Sequence, residues 1–310
     1  MTSGQVVISA GEALIDFSPV QLGGETLYLP RAGGSPYNVA IGLGRLGVPA
    51  GFCGRISSDA FGRLLRQGLE KSRVSLAYLS VGSEPSSLAF VHLEGGEAEY
   101  AFYSQGTASR MQLAEHLPEL PDQAALHFGS ISLVLEPAAS TLEGLMRKEA
   151  GKRFISLDPN IRPALIPDRQ QYLGRLERWL GLVNLVKASE ADIKWLYPGE
   201  SVERVAERWL EHGPACVLVT LGSAGAFGLA KEGRVYVEAP KANVVDTVGA
   251  GDAFMSGTLA WLQRAGALAA DGIKRIGLDE IKQLLRYASR LAALTCERAG
   301  ADPPWDYQLA

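Results

Sequence analysis

A glycine-rich loop that leads into an apolar helical pattern carries the most specific chemistry in the sequence. It reads DTVGAGD over residues 246–252, and the helical pattern follows over residues 253–262. Amide groups at the start of a helix are unpaired and lie at the positive end of its dipole, so they bind anions such as phosphate. Asp252 could instead simply cap the helix, but a cap does not need Gly249 and Gly251 before it. The loop therefore predicts a phosphate site with Asp252 beside it.

A second glycine motif, GLGRLG over residues 42–47, matches the dinucleotide-binding pattern GxGxxG. That pattern must follow a strand and open a helix. Here Pro36 is typical of a first helical turn, apolar residues continue through the motif, and a glycine-proline stop follows it. Gly42 and Gly44 are therefore predicted to be helix-packing glycines. A nicotinamide-dependent dehydrogenase is an alternative that rests on this motif alone.

The elements that position these loops alternate between short β-rich runs and longer helical patterns. Six runs are predicted as strands, each followed by a helix, at residues 6–9, 51–54, 125–128, 154–157, 182–186 and 217–221. Such alternation indicates βαβ units, and strands without polar alternation are typical of a parallel sheet covered on both faces. We expect an α/β protein with a three-layer α/β/α core.

Two stretches break this rhythm and are predicted as antiparallel hairpins. Residues 17–30 and 88–103 alternate apolar and polar residues, with turn signals at Gly23-Gly24 and at Gly95-Gly96. We expect the two hairpins to join in one accessory sheet. The sequence contains no linker, repeat or low-complexity tract that would mark a second domain.

The composition excludes several classes of protein. The chain has 310 residues, 34 acidic and 30 basic side chains and a net charge of −4, without the clustered Lys and Arg of a nucleic-acid surface. Three distant cysteines, Cys53, Cys216 and Cys296, are predicted to be buried thiols. No apolar stretch is long enough to span a membrane, and no signal peptide is predicted, so we expect a cytoplasmic protein with small-molecule partners.

The glycine motifs resemble the two signatures of the ribokinase-like (PfkB-type) carbohydrate kinases, in order and at the usual distance. The first is GGSPYNVA over residues 33–40 and the second is the loop at 246–252, so the resemblance covers nearly the whole chain. Segments GEALIDF at 11–17 and GSISL at 129–133 are similar to the fructokinases within that family. The resemblance implies one ribokinase-like domain over residues 1–310, with a mostly parallel central sheet and a small antiparallel β lid formed by about 12–33 and 85–106.

The resemblance also implies roles for individual residues. Asp252 would be the catalytic base, and the backbone of Gly249, Ala250 and Gly251 would hold the charge of the transferred phosphoryl group with Arg162. The residues implied to bind the sugar are Asp16, Gly33, Gly34, Asn38 and Tyr103. Plainer alternatives are a turn cap for Asp16, a first-turn helical residue for Asn38 and a surface ion pair for Arg162.

ATP, Mg²⁺ and K⁺ are the cofactors that the resemblance implies. The nucleotide would lie against Lys187, Ser189, Thr220, Gly222, Gly225 and Ser289. Magnesium would be held through water near Glu190 and Asp192, where SEAD replaces the Asn-x-x-Glu of many relatives. Potassium would lie near Asp246 and Thr247, in a carbonyl cage formed with residues 299–301.

The expected activity is transfer of the γ-phosphoryl group of ATP to a primary hydroxyl of fructose. One alternative is a 2-keto-3-deoxygluconate kinase, which Arg110 and Arg162 favour and which Ser104, in place of a frequent arginine, disfavours. Another is a non-catalytic sugar-binding regulator, which the intact Asp252 disfavours. A homodimer that pairs through the lids is expected, with Phe90, Tyr100 and Phe102 as apolar contacts.

Overall fold

The computed structural model of the protein describes residues 5–94 and 97–309, with residues 91–94 and 97–100 described by their backbone alone. The predicted turn at Gly95-Gly96 lies outside the described residues. The strands, in chain order, are β1 (Val7–Ala10), β2 (Leu14–Leu22), β3 (Glu25–Gly33), β4 (Ala50–Cys53), β5 (Arg55–Ser57), β6 (Ser80–Gly82), β7 (Ser87–Glu94), β8 (Glu97–Tyr103), β9 (Ala125–Gly129), β10 (Ile155–Asp158), β11 (Leu185–Ser189), β12 (Cys216–Thr220), β13 (Ala226–Ala230) and β14 (Gly233–Val237).

The α-helices lie mostly between the strands of the large sheet. In chain order they are α1 (Ser35–Arg45), α2 (Ala60–Lys71), α3 (Ala138–Glu149), α4 (Arg169–Leu180), α5 (Glu190–Leu196), α6 (Val202–Glu211), α7 (Ala250–Arg264) and α8 (Leu278–Cys296). Short 3₁₀ turns connect several of them, including Ser130–Leu133 after β9 and Pro163–Leu165 after β10. Within the described ranges, none of the helices has the length and apolar run needed to cross a bilayer.

The large sheet has eight strands in the order β14-β13-β12-β11-β10-β9-β1-β4. The six predicted strands are its parallel part, with bounds that differ by one to three residues from the predicted ones. The prediction of a helix directly after residues 217–221 is wrong. Gly222 and Gly225 have φ values of 59° and 118°, and the chain turns back there to form β13 and β14 as antiparallel edge strands.

Two apolar cores lie on the two faces of this sheet. One contains Leu126, Leu157 and Val217 with residues of α3 to α6, and the other contains Ala125, Leu218 and residues of α1, α7 and α8. Because neighbouring residues of a strand face opposite sides, strands such as β9 and β12 supply both cores. The predicted three-layer α/β/α arrangement is confirmed.

A smaller sheet of four strands, in the order β3-β2-β7-β8, covers one end of the large sheet; we call it the lid sheet. Both predicted hairpins occur in it, and they join in one sheet as predicted. The pairing between them, β2 with β7, is parallel, so the lid sheet is mixed. The short parallel pair of β5 and β6 was not predicted from the sequence.

The GxGxxG motif lies inside α1 and does not open a helix. A Cβ at Gly42 would lie 2.3 Å from Oγ of Ser256 on α7, and one at Gly44 would lie 2.1 Å from the carbonyl oxygen of Ser72. Both glycines therefore allow close packing, as predicted, and the motif offers no dinucleotide site. Of the three cysteines, Cys53 and Cys216 are buried thiols and Cys296 is half-buried.

Candidate active site

A cavity of about 270 Å³ lies at the carboxyl edge of the parallel strands, between the lid sheet and the start of α7. Ligands of open α/β sheets bind at this edge. Its lining contains Glu12, Leu14, Asp16, Gly34, Ser35, Asn38, Ser130, Ile131, Asn160, Arg162, Thr247, Val248, Gly249, Gly251 and Asp252. The structure therefore brings together most of the residues predicted for sugar binding and catalysis.

Asp252 is the third residue of α7 and is only 7% exposed. Its carboxylate accepts hydrogen bonds from Oγ of Ser35 at 2.6 Å and from Nδ2 of Asn38 at 2.8 Å. The residue that precedes the helix is Gly249, in a left-handed conformation with φ of 77°, and it has no side chain to cap the helix. The alternative that Asp252 is only a helix cap is therefore wrong.

The environment of Asp252 suits proton transfer. Burial raises the pKa of its carboxyl, while the hydrogen bonds from Ser35 and Asn38 and the charges of Lys187 and Arg162 act in the opposite direction. A general base works best when its pKa lies near the working pH. Ala250 donates its amide to the carbonyl oxygen of Thr247 at 3.3 Å, whereas the amides of Gly251 and Asp252 have no partner within the helix, so the predicted anion site lies next to the carboxylate of Asp252.

Asp16 faces the cavity from β2, where its carboxylate lies over Gly33 of β3. A Cβ at Gly33 would lie 2.1 Å from Oδ2 of Asp16, so only glycine leaves room for this carboxylate. Burial raises the pKa of Asp16 to about 7; Arg162 lowers it, whereas Asp252 and Glu12 raise it. Asp16 thus lies within β2 and not at a turn, and its carboxylate faces the cavity, as expected for a residue that binds a sugar.

Glu12 belongs to this site, although sequence reasoning did not select it. Its buried carboxylate accepts hydrogen bonds from the backbone amides of Ser35 and Ser132, both at 3.2 Å, and burial raises its pKa. It thereby links the start of α1 to the turn after β9. A carboxylate within the otherwise apolar start of GEALIDF was the available signal. Ser130 and Asn160 were also missed.

Arg162 reaches the cavity from the segment after β10. Its Nη1 donates to Oδ1 of Asn160 at 2.7 Å and to the carbonyl oxygen of Ile161 at 3.0 Å. Within the part of the chain that the structure describes, it forms no ion pair, so the surface ion-pair alternative is wrong. The guanidinium group keeps donors for an anionic group in the cavity.

Lys187 is buried behind the glycine loop and is not part of an open nucleotide surface. Its Nζ donates to Oδ2 of Asp158 at 2.7 Å, and it lies 3.1 Å from the position of a Cβ at Gly251. Burial acts to lower the pKa of Lys187, but the carboxylates of Asp158 and Asp192 outweigh it and raise the pKa, so the lysine remains a cation. This charge lies beneath the predicted phosphate site. Sequence reasoning missed Asp158.

The two predicted magnesium residues differ in position. Oδ1 of Asp192 accepts the amide of Ile161 at 2.8 Å, and Oδ2 accepts both the amide and the hydroxyl of Ser189, which begins α5. Glu190 is half-buried and pairs with Lys194 at 2.8 Å. Among the described residues, no group of three acidic, His or Cys side chains is placed to hold a metal. This arrangement suits a magnesium ion that keeps its water molecules and contacts the protein through them. It does not suit an ion held in a cage of protein ligands.

The predicted potassium segments lie side by side. Oδ1 of Asp246 accepts the amide of Val248 at 3.0 Å, and Oδ2 accepts the amide of Gly300 at 2.7 Å. A Cβ at Gly249 would lie 2.5 Å from the Cβ of Ala301, so the two segments are in contact. The carboxylate of Asp246 therefore joins the two segments. Their backbone carbonyl oxygens remain as the groups predicted to bind potassium.

The predicted nucleotide residues lie further along the same sheet edge. Thr220 ends β12 beside Ser189, while Gly222 and Gly225 form the turn that follows, and Ser289 is buried on α8. None of them lines the cavity. The segment before α7 exposes Val244 and Val245 at 64% and 65%, an apolar surface that was not predicted from the sequence.

Tyr103 does not reach the cavity. It is 61% exposed on β8, pairs with Leu88 and packs its ring against Phe90, with ring centroids 5.6 Å apart. Because residues alternate along a strand, this places Tyr103 on the face of the lid sheet opposite to Asp16. The predicted contact of Tyr103 with sugar in its own chain is not supported by this geometry.

The cavity places a buried carboxylate beside the start of a helix, under a lid and at the carboxyl edge of a parallel sheet. This arrangement suits the transfer of a phosphoryl group to a hydroxyl group. The sequence profile of the pfkB family carbohydrate kinases matches residues 5–307. The chain belongs to this family, and it is a carbohydrate kinase.

Similar proteins include a fructokinase of Rhizobium leguminosarum bv. trifolii, 43% identical over 260 residues, which are 83% of this chain and 80% of that protein. The fructokinase of Xylella fastidiosa with bound ATP has a TM-score of 0.88 at 28% identity and covers 96% of this chain and 93% of its own. A fructokinase double mutant of Vibrio cholerae with fructose, ADP and potassium ion has a TM-score of 0.85 at 28% identity, with coverages of 96% and 94%.

Proposed function

We propose that the protein is an ATP-dependent fructokinase that phosphorylates a primary hydroxyl of fructose. The observation that carries this proposal is the pair of carboxylates, half-buried Asp16 and buried Asp252, which face one small cavity and suit a neutral sugar. Asp16 accepts hydrogen bonds from sugar hydroxyls and holds the reacting end near Asp252. The similarity to fructokinases supports the same choice.

A 2-keto-3-deoxygluconate kinase is disfavoured by the charges of the cavity. Arg162 is the one cation in its described lining, against the three carboxylates of Glu12, Asp16 and Asp252. Arg110, which favoured this alternative in the sequence, lines a different groove. A sugar acid would therefore face excess negative charge.

The proposed reaction follows from the positions of these groups. The reacting hydroxyl donates a hydrogen bond to Asp252, which takes the proton as the oxygen attacks the γ-phosphorus; the bond from the γ-phosphorus to the β,γ-bridging oxygen breaks, and ADP leaves. The transition state of phosphoryl transfer is loose, so the proton leaves late and positioning counts for more than basicity. The amides of Gly249 to Gly251 and the charges of Arg162 and Lys187 stabilise the transferred group.

A coupled assay of ADP release tests this proposal. Fructose, 2-keto-3-deoxygluconate, ribose and tagatose are compared as acceptors, and fructose is expected to have the highest kcat/KM. A preference for 2-keto-3-deoxygluconate would overturn the substrate. If no acceptor released ADP while fructose still bound, the chain would be a sugar-binding regulator.

We propose Mg²⁺ as the divalent ion that accompanies ATP and K⁺ as an activating ion. Magnesium would neutralise phosphate charge when bound, with water between it and Asp192 or Glu190. The contact between the segments at 245–249 and 299–301 supports a potassium site of backbone carbonyls. Activity in potassium is compared with activity in tetramethylammonium, and equal rates would remove the potassium site.

We also propose a single kinase domain, a cytoplasmic location and a homodimer that pairs through the lid sheets. Exposed apolar side chains on both faces of the lid support the dimer: Val20, Leu22, Leu27, Tyr28, Leu29 and Tyr103. A hairpin that is apolar on both faces is typical of an element that packs against a second copy. Light scattering at micromolar concentration is expected to give a dimer, and a monomer would remove this proposal.

A further inference from the structure

A second and larger groove, of about 780 Å³, lies between α3 and α4. Four arginines line it: Arg147 from α3, Arg175 and Arg178 from α4, and Arg110 from the segment after β8. The reaction proposed above uses none of them.

Three of these guanidinium groups converge on the single carboxylate of Glu143. Arg147 reaches Oε1 at 2.5 Å, Arg175 reaches Oε2 at 3.1 Å, and Nε of Arg178 lies 3.7 Å from Oε1. One carboxylate has too few lone pairs for the donors of three guanidinium groups. Glu143 therefore holds the three arginines together. Positive charge and N–H donors of their guanidinium groups remain that Glu143 does not neutralise or accept.

The other two carboxylates of the groove are already engaged, one of them by an arginine of the groove itself. Glu136 pairs with Arg175, and Asp168 accepts the amide of Gln171 at the start of α4. Arg147 and Arg178 have side chains that are 55% and 52% exposed. These two guanidinium groups are thus the ones that can receive a further anion.

The rest of the groove offers a surface for an organic group. Val134, Leu135, Ile166 and Pro167 form apolar walls. The ring of Tyr172 also lines the groove, while its hydroxyl is buried beneath the surface.

We propose that this groove binds a small phosphate ester, with the phosphate between Arg147 and Arg178 and the organic part along the apolar walls. Guanidinium groups bind phosphate through paired, charge-assisted hydrogen bonds, which makes arginine well suited to this ligand. A phosphate dianion matches two outer guanidinium groups better than a single carboxylate does.

The groove is connected to the sugar cavity through two short turns. Its wall at Val134 and Leu135 directly follows the turn that carries Ile131 into the cavity, and its wall at Ile166 follows the turn that begins at Arg162. A ligand that fixes these walls therefore restrains both turns. We expect occupancy of the groove to change the KM for fructose, and this expectation, unlike the binding itself, rests on the proposed function.

Calorimetric titration with fructose 6-phosphate tests the site. The enzyme is first saturated with fructose and a non-hydrolysable ATP analogue, so that the sugar cavity is occupied. We expect one molecule of the ester to bind per chain, and the double variant Arg147→Gln/Arg178→Gln to weaken binding at least about tenfold. The control Arg66→Gln/Arg204→Gln removes the same charge from exposed positions on α2 and α6 and should leave binding unchanged.

Three results would overturn parts of the proposal. Absence of binding at millimolar ester, or equal binding by both double variants, would remove the site. Inorganic phosphate that binds as tightly as the ester would remove the contact with the organic part. A fructose KM that fructose 6-phosphate changes equally in the wild type and in Arg147→Gln/Arg178→Gln would remove the coupling, because competition at the sugar cavity would then explain the effect.

Discussion

The predicted sugar side and nucleotide side of the active site use different chemical groups, mainly side chains on the first and mainly backbone groups on the second. On the sugar side, Asp16 is half-buried and Asp252 is buried, and each is placed by particular neighbours such as Gly33 and Ser35. The predicted nucleotide side has glycine turns and helix amides, and we propose that the exposed Val244 and Val245 before α7 belong to it. A side chain that is the sole source of a contact cannot be replaced, whereas backbone groups survive most substitutions. The chemistry and the sugar specificity should therefore be sensitive to mutation, and nucleotide binding should be tolerant.

The substitution Asp252→Asn should produce the largest effect. Asparagine keeps the shape and can still bond with Ser35 and Asn38, but it cannot take the proton. We expect kcat to fall by roughly 10²- to 10⁴-fold, as for loss of a general base, with ATP affinity by calorimetry unchanged. Because burial disfavours the charged carboxylate, the melting temperature should be kept or raised. Retention of more than about a tenth of the turnover would contradict the role as a base.

The substitution Asp16→Asn should have the next largest effect, confined to the sugar. Hydrogen bonds to charged groups contribute about 1.5–3 kcal/mol, so kcat/KM for fructose should fall about 10- to 100-fold while the KM for ATP stays constant. The exposed Asp271→Asn is the matched control, because it removes a carboxylate away from the site. An equal effect on ATP would break the distinction between the two sides.

The pH dependence of kcat/KM for fructose and of the KM for ATP should differ in the same way, with a change of about tenfold for fructose alone. Asp16 must be ionised to accept hydroxyl groups, and with its pKa raised to about 7, only about a tenth is ionised at pH 6. We expect kcat/KM for fructose to fall about tenfold from pH 8 to pH 6, and the step to vanish in Asp16→Asn. The KM for ATP should stay flat over this range; a parallel step there would point to a shared group.

The smallest effect is expected on the nucleotide side. The variant Val244→Ala/Val245→Ala trims an exposed apolar surface, and incomplete burial by ATP limits the loss to about 1 kcal/mol, or about fivefold in the KM for ATP. The kcat/KM for fructose at saturating ATP should not change. A larger increase in the KM for ATP, or a fall in kcat/KM for fructose, would show that this segment also shapes the sugar side.

Sequence reasoning worked best where local pattern determines structure. The parallel strands, the lid hairpins and the helix through Gly42 all follow from periodicity and from glycine and proline signals. It failed at β13 and β14, because a strand that returns antiparallel after a glycine turn has the same apolar pattern as one that crosses over.

At the site, the sequence identified residues within motifs and missed those that depend on distant neighbours. Glu12 and Asp158 were overlooked because their importance lies in partners far along the chain, Ser132 for the first and Lys187 for the second. Tyr103 was assigned to the sugar, but strand register places it on the other face of the lid sheet. Register and long-range pairing are not readable from a single sequence.

The hydrogen bond from Ser35 to Asp252 also has a consequence for how the enzyme is made. It joins residues that are 217 positions apart, so the proton acceptor has its donors only after α7 has been synthesised and has packed against α1. Contacts of such long range form late and slow the folding of a chain. A ribosome-bound fragment that ends before α7 lacks Asp252, so we expect phosphoryl transfer to begin only with the nearly complete chain.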